Sequence, residues 1–328
     1  MKATAQTFGE TAVSEKGWLA VYADLIKARL TLLVLLTTLV GFYVGWDGPM
    51  NYARMFHTML GTALVASGAA ALNQLLEREH DARMRRTRNR PLPSGRLQPV
   101  TVMLFGGVCA VVGLVYLAVL VNLLTSVLGA ITLVSYLFIY TPLKRVTWLN
   151  TAVGAIPGGL PPLMGWAAAR GELDGGGWAL FAILAFWQMP HFFAIAWIYR
   201  DEYAKAGFQM LPNVDPDGSR TGQQSVGHTL ALLAVSLCPF VFHLAGPIYL
   251  AGAVVLGAGY LWCAIQFARQ LTLARARQLF FASILYLPLL LGLLVLDKGK
   301  QAQQFSLGQF RSAPGEGTRP TCHKTAFL

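Results

Sequence analysis

The chain has 328 residues, of which 55% are hydrophobic and only 12% are charged. A soluble domain carries about 25% charged residues, so a water-soluble globular protein is excluded and most of the surface is expected to face lipid. The formal net charge is +11. The basic residues flank apolar segments and no nucleic-acid recognition module accompanies them, so a nucleic-acid partner is not expected.

Apolar segments long enough to cross a bilayer recur from the first to the last third of the chain. We predict nine, although the third and fourth nearly abut at Val121 and Asn122, which leaves eight as the alternative count. They cover about 29–46, 54–75, 98–119, 121–140, 147–168, 178–198, 226–244, 247–267 and 278–296. The predicted fold is all-α: a polytopic membrane protein of about nine transmembrane helices around a central intramembrane cavity.

The two ends of the chain differ from this membrane domain, which we place at residues 27–297. Residues 1–26 lack an apolar core with a cleavage site, so we expect a cytoplasmic N-terminal segment and no removable signal peptide. Residues 298–328 are rich in Gly, Gln, Ser, Pro and Lys and are predicted to be a disordered tail. Most Lys and Arg residues fall in inner segments if the N-terminus is cytoplasmic, so the positive-inside rule places the C-terminus on the outer side.

The strongest functional pattern lies at the end of the second predicted span. Asn73, Glu77 and Asp81 are four residues apart, so on a helix they share one face with roughly 6 Å of rise between neighbours. Two carboxylates and an amide oxygen are costly to bury in a membrane and suit a hard cation such as Mg²⁺. Seven arginines crowd the same stretch: Arg78, Arg83, Arg85, Arg86, Arg88, Arg90 and Arg96. Carboxylates for a metal beside arginines for phosphate oxygens predict a diphosphate site.

Other charged residues at the inner ends of spans allow two interpretations. Asp201 and Glu202 follow the sixth span and are either a second carboxylate wall for the metal and diphosphate or a solvated helix cap. The basic pairs Lys27/Arg29 and Lys144/Arg145 are either topology determinants or further contacts for the diphosphate.

Two of the spans contain residues that are unusual inside a membrane. His191 follows Pro190 in the sixth span, and an ionisable group there favours a functional role, either as a porphyrin iron ligand or as a carboxylate partner. An interior histidine with satisfied hydrogen bonds is the alternative. The fifth span holds several glycines and three prolines, which predict either a cavity wall or close packing through small residues.

At this point the motifs resemble a known family. Asn73-x-x-x-Glu-x-x-x-Asp, followed by Met-x-Arg-Thr-x-x-Arg-Pro-Leu-Pro-Ser-Gly, is similar to the first motif of the UbiA-type intramembrane prenyltransferases. Tyr140-Thr-Pro-Leu-Lys-Arg, Trp187-Gln-Met-Pro-His-Phe and Glu202-Tyr-x-x-Ala-Gly-x-x-Met-Leu-Pro are similar to the protohaem IX farnesyltransferase branch of that family. The motifs are collinear from about Lys27 to Gly218.

The resemblance implies a Mg²⁺-dependent enzyme of the bacterial inner membrane. Its substrates would be farnesyl diphosphate and haem b, and the farnesyl group would be added to the 2-vinyl group of haem b together with water, giving haem O and diphosphate. The implied partners are the lipid bilayer and, for the product, haem A synthase or oxidase assembly factors. An aromatic acid of quinone biosynthesis is the alternative acceptor, and a membrane transporter is the alternative class.

The resemblance also implies roles for individual residues. Asn73, Glu77 and Asp81 match the metal–diphosphate motif, with Arg78 beside them in the catalytic group. The implied substrate-binding positions are Arg86, Arg90, Lys144, Arg145, Glu202 and His191, to which Lys27, Arg29 and Asp201 are added from their positions in the chain. A second Asp-x-x-x-Asp motif would begin at Asp201 but end on Lys205, so the second loop departs from the wider family pattern.

Overall fold

The structure is a computed structural model that describes residues 17–312, with side chains described up to residue 298. Every regular element in this part of the chain is helical, so the all-α prediction is confirmed. The helices are α1 (Trp18–Leu25), α2 (Ala28–Gly45), α3 (Tyr52–Asp81), α4 (Pro99–Leu120), α5 (Leu123–Val134), a π-helix (Ser135–Tyr140), α6 (Thr141–Leu143), α7 (Asn150–Arg170), α8 (Gly175–Ile198), α9 (Arg200–Lys205), α10 (Leu211–Val214), α11 (Ser219–Val235), α12 (Cys238–Val241), α13 (Pro247–Arg269) and α14 (Leu273–Ser312).

Eight of the helical segments in the described part of the chain are long and apolar enough to cross a membrane. A further long helix, α7, corresponds to the fifth predicted span but is not among those eight. Its glycines and its prolines at 157, 161 and 162 lower its hydropathy, and most of its side chains are buried among other helices. Because little of α7 faces lipid, it does not need the apolar surface of its neighbours.

Close packing through small residues places α7 against α2. A methyl group at Gly165 would overlap the carbonyl oxygen of Thr38, and one at Gly41 would overlap that of Pro162. The two backbones are therefore in direct contact, as is common where membrane helices meet at small residues. This supports the packing interpretation for the middle of the fifth span, whereas Asn150 and Thr151 at the start of α7 line a pocket.

The turn between α1 and α2 brings Lys27 to the end of α3. Lys27 lies between α1 and α2 with a φ of 50°, a left-handed conformation that is uncommon for a residue other than glycine. Gln74 of α3 donates from Nε2 to the carbonyl oxygens of Asp24 and Leu25 at 2.9 and 2.8 Å, which holds this turn in place.

The last helix, α14, continues to Ser312 and so passes the expected end of the membrane domain near residue 297. Residues 298–312 are therefore helical where the sequence predicted a disordered tail. The predictions for residues 1–16 and 313–328 fall outside the described part of the chain.

Candidate active site

The last turns of α3 form the centre of the site. Asn73, Glu77 and Asp81 lie on one helix face as their spacing predicts, and they are 0%, 4% and 2% exposed. All three line one pocket of about 800 Å³, part of which is open to solvent. Buried carboxylates require compensating charge or hydrogen bonds, so the surrounding cations decide what this pocket can hold.

Each of these three side chains is paired with a different cation. Lys27 Nζ donates to Asn73 Oδ1 at 2.6 Å. Lys144 Nζ lies 2.7 Å from Glu77 Oε1, and Arg90 Nη1 lies 2.6 Å from Asp81 Oδ2. The cations come from three separate segments of the chain and converge on one helix face.

The cations affect one another as well as the carboxylates. Burial, followed by repulsion from Arg90, lowers the pKa of Lys27 to about 7. Burial also disfavours the ammonium of Lys144, but attraction to Tyr140 and Glu77 outweighs it and raises its pKa above the usual value. Together with Arg86, the pocket is lined by four basic side chains and two carboxylates. This excess of positive charge suits an anionic ligand.

The remaining lining divides into a polar part and an apolar part. The Lys144 ammonium lies over the ring of Tyr140, 4.4 Å from the ring centroid. Tyr203 Oη accepts a hydrogen bond from Arg86 at 3.3 Å. The apolar lining consists of Met84, Phe192, Ile195, Ala196, Phe208 and Met210. The charged end suits a polyanionic group, and the apolar side suits a hydrocarbon chain or ring system.

Sequence reasoning did not identify several of these lining residues: Thr87, Tyr140, Asn150, Thr151, Tyr203 and Phe208. Tyr140 and Tyr203 stand inside two of the quoted motifs, so their position in a motif was the available indication. Asn150 lines the pocket and donates from Nδ2 to the carbonyl oxygens of Thr147 and Gln209 at 2.6 and 2.8 Å. The bond to Gln209 depends on where two distant segments meet, which spacing along the chain does not reveal.

Some predicted site residues do not reach the pocket. Arg78 is exposed on another face of α3, where it lies 3.7 Å from Glu79. Arg29 and Arg145 are also exposed and are absent from the lining. Since Arg78 is one residue from Glu77, it is rotated by about 100° around the helix and points elsewhere. The catalytic role predicted for Arg78 is therefore not supported by its position.

The second acidic pair is likewise outside the pocket lining. Asp201 is exposed and lies 3.8 Å from Arg200, and Glu202 is partly exposed. Their neighbour Tyr203 contributes to the pocket instead. This arrangement agrees with the interpretation of Asp201 and Glu202 as a solvated cap and not with a second carboxylate wall.

His191 packs between helices and not in the pocket. Its ring stacks on Trp187 and Phe280, each with centroids 5.1 Å apart, and Nδ1 is 2.7 Å from Ser283 Oγ. Ser283 Oγ also lies 2.5 Å from the Phe280 carbonyl oxygen, so the histidine ring is tied through Nδ1 to a residue of α14. The next residue, Phe192, is the one that faces the pocket.

Residues 34–285 match the family model described as "UbiA prenyltransferase family". The chain belongs to the UbiA prenyltransferase family. Two UbiA-related proteins named protoheme IX farnesyltransferase are 49% identical (Solibacter usitatus) and 48% identical (Salinibacter ruber) to it. Each alignment covers 84% of this chain and 98% of the relative.

Solved structures show the same UbiA fold at low sequence identity. A structure described for digeranylgeranylglyceryl phosphate synthase has a TM-score of 0.74 at 15% identity and covers 86% of this chain and 99% of its own. A UbiA homologue from Archaeoglobus fulgidus bound to GPP and Mg²⁺ has a TM-score of 0.62 at 16% identity and covers 84% and 99%. The fold prediction and the integral-membrane prediction are confirmed.

The pocket residues fit a magnesium ion that is shared with a diphosphate. Among the described residues, no group of three His, Cys, Asp or Glu side chains is placed to hold a metal ion alone. Mg²⁺ is usually bound through one or two carboxylates together with substrate phosphate oxygens. Glu77, Asp81 and the amide oxygen of Asn73 supply that kind of incomplete donor set.

Proposed function

We propose that this protein transfers the farnesyl group of farnesyl diphosphate to the 2-vinyl group of haem b, with addition of water, to give haem O and diphosphate. The observation that carries the proposal is the face of Asn73, Glu77 and Asp81, buried at the end of a membrane helix with a separate cation on each member. The names of the two bacterial relatives support farnesyl as the transferred group and haem as the acceptor.

Lys27, Arg86, Arg90 and Lys144 would bind the diphosphate, and Glu77, Asp81 and Asn73 would hold Mg²⁺; all seven residues line the pocket. When bound, Mg²⁺ supplies electrostatic stabilisation of the departing diphosphate. The allylic C–O bond breaks with its electron pair leaving on the diphosphate, where the four basic side chains stabilise the developing charge. The vinyl π electrons form the new C–C bond, and water adds to the resulting cation and loses a proton.

The apolar side of the pocket supports this chemistry because it limits the access of water to the allylic cation. Phe192, Ile195, Phe208 and Met210 provide hydrocarbon surface next to the charged end. An allylic cation survives until the vinyl group attacks only if solvent is kept away from it. Binding of haem b at His191 is a separate prediction; because Nδ1 bonds to Ser283, Nε2 is the nitrogen that would meet the iron.

The membrane setting adds two further parts to the proposal. The protein resides in the bacterial inner membrane with the pocket on the cytoplasmic side. Delivery of haem O to a later haem-modifying enzyme or to oxidase assembly factors stays a prediction.

The test is a turnover assay on the purified protein in nanodiscs with haem b, farnesyl diphosphate and Mg²⁺. We expect a haem heavier by one farnesyl and one hydroxyl group, and we expect its formation to stop when the metal is chelated. Glu77→Gln and Arg90→Ala should each lower the rate by about a hundredfold or more, because each removes a group that acts on the developing charge.

Arg78→Ala is the matched control, since Arg78 is exposed on another face of α3. It should retain activity within about threefold of the unmodified protein. Diphosphate release only in the presence of an aromatic acid would contradict the haem acceptor and keep the enzyme class. No diphosphate release with either acceptor would contradict the enzyme class and favour a transporter.

A further inference from the structure

Thr141 is hydrogen-bonded to Asn73 but is not among the residues that line the pocket. It is 1% exposed, and its hydroxyl oxygen accepts a hydrogen bond from Asn73 Nδ2 at 3.1 Å. The same hydroxyl donates to the carbonyl oxygen of Tyr136 at 2.8 Å. A threonine hydroxyl has a single hydrogen. Because Tyr136 takes that hydrogen, Thr141 can only accept from the amide, which fixes the direction of the bond.

The direction of this bond determines which atom of the Asn73 amide faces the pocket. With Nδ2 held by Thr141, the oxygen Oδ1 points to the opposite side, where Lys27 Nζ donates to it at 2.6 Å. Rotating the amide by 180° would present an NH₂ group, which cannot coordinate a cation. Lys27 favours the same orientation, but a bound diphosphate competes for its ammonium. Thr141 bonds to the other end of the amide and does not line the pocket, so the diphosphate would not compete for it.

The π-helix explains how Thr141 reaches this position. Its backbone N–H donates to the Tyr136 carbonyl oxygen, five residues earlier. In a continuous α-helix that N–H would bond to residue 137, one position later. The wider turn brings the N–H and the hydroxyl of Thr141 onto one carbonyl oxygen. Such turns often occur at functional sites.

We propose that Thr141 is a positioning residue for the metal: it holds the Asn73 amide with its oxygen toward the cation that Glu77 and Asp81 share. The inference rests on the proposed function, because it assumes that Asn73 is a metal ligand. It adds to that function a residue that touches neither the metal nor the substrates. Residues that orient a metal ligand typically affect metal affinity by about 10- to 100-fold.

The experiment measures metal affinity without turnover. Mn²⁺ is titrated into the purified protein in nanodiscs with farnesyl diphosphate present and haem absent, and free Mn²⁺ is followed by electron paramagnetic resonance. Thr141→Val and Thr141→Ala should each weaken Mn²⁺ binding by about tenfold or more. Thr141→Ser retains the hydroxyl and should bind Mn²⁺ within about twofold of the unmodified protein.

Thr132→Val is the matched control in the same transmembrane segment. The Thr132 hydroxyl bonds to the Leu128 carbonyl oxygen at 2.8 Å and to the Met164 sulfur at 3.8 Å, with no bond to the three candidate ligands. It should leave Mn²⁺ affinity unchanged. If the valine variant at position 141 does not fold, the comparison of its alanine and serine variants decides the question.

Two results would overturn the inference while leaving the proposed function intact. One is Mn²⁺ affinity in Thr141→Ala equal to that of the unmodified protein, and the other is a loss in Thr141→Ser as large as in Thr141→Ala. A wrong assignment of the metal site would give a different result: the Mn²⁺ affinity of Glu77→Gln would equal that of the unmodified protein. The inference about Thr141 would then fail together with the proposed metal site.

Discussion

At the scale of single residues, the site carries its own compensating charges. Glu77 and Asp81 are buried, and each has a cation within 2.7 Å. A buried carboxylate without a partner would be strongly destabilising. Because Lys144 and Arg90 supply that charge from within the chain, the protein can fold before it meets a ligand. When a metal and a diphosphate enter together, the carboxylates can pair with the metal and the cations with the diphosphate.

Asp215 is a buried carboxylate with a structural role outside the transmembrane helices. Burial opposes its ionisation, but hydrogen bonds from the backbone N–H and hydroxyl of Thr221 outweigh this and lower its pKa. A lowered pKa stabilises the fold above the pKa of the unfolded chain, about 3.9, and that stabilisation is lost as the pH falls through the native value. Asp215→Asn should cost about 1 kcal/mol at pH 7 and less below about pH 4.

The measurement is the melting temperature of both proteins in detergent between pH 3 and pH 8. The difference in melting temperature between the two proteins should be constant at neutral pH and should become smaller in acid. A difference in melting temperature that stays constant through the acid range would show that ionised Asp215 does not stabilise the fold.

Helical spacing accounts for the shared face of Asn73, Glu77 and Asp81 and for the position of Arg78 outside the pocket lining. Asn73, Glu77 and Asp81 share a face because the helix period fixes local geometry. The same period turns Arg78 away from the face of Glu77, so its absence from the pocket could have been predicted, whereas the sequence gives no sign that Phe192 and not His191 lines the pocket. The ion pair between Arg90 and Asp81 depends on the path of the loop after α3. The hydrogen bonds of Thr141 depend on the π-helix that precedes it. Neither follows from a periodic pattern.

At the scale of elements, the contact between α2 and α7 sets the position of the central helix. A Gly165→Ala methyl group would meet the backbone of Thr38 and Phe42, which cannot move aside as a side chain would. We expect this substitution to destabilise the protein by about 1–3 kcal/mol.

Gly107→Ala is the control for that substitution. Gly107 lies inside α4 and a methyl group there would have no neighbour within 4 Å. Alanine should therefore be neutral or stabilise the helix by up to about 1 kcal/mol. Thermal unfolding in detergent compares the two variants, and equal melting temperatures would contradict a close backbone contact between α2 and α7.

Hydropathy identifies the helices that face lipid, but α7 falls outside the eight helices that hydropathy and length select in the described part of the chain. The apolar character of α4 and α13 follows from their contact with the membrane, so length and composition identify them directly. Helix α7 was predicted from its length despite its prolines. Its place among the other helices is a property of packing, because small residues permit close approach without specifying which partner approaches.

At the scale of the whole molecule, the pocket and most of the exposed basic residues in the described part of the chain lie at the same end of the helices. The loop between α3 and α4 contains the exposed residues Arg83, Arg85 and Arg88, whereas the loop between α7 and α8 is short and contains exposed Glu172. Short loops on the cytoplasmic side of a membrane protein carry an excess of Lys and Arg. We therefore expect the pocket end to be cytoplasmic and the opposite end to be on the outer side.

Cysteine labelling tests this orientation. The four native cysteines (Cys109, Cys238, Cys263 and Cys322) are first replaced by alanine, and Arg88→Cys and Glu172→Cys are then made separately. A membrane-impermeant maleimide added to intact spheroplasts should label Glu172→Cys and spare Arg88→Cys, and inside-out vesicles should give the reverse. Labelling of Arg88→Cys from outside would place the pocket on the outer side, contrary to the distribution of charge. Since both positions are exposed, permeabilised membranes should label both, which shows that absence of labelling reports orientation and not burial.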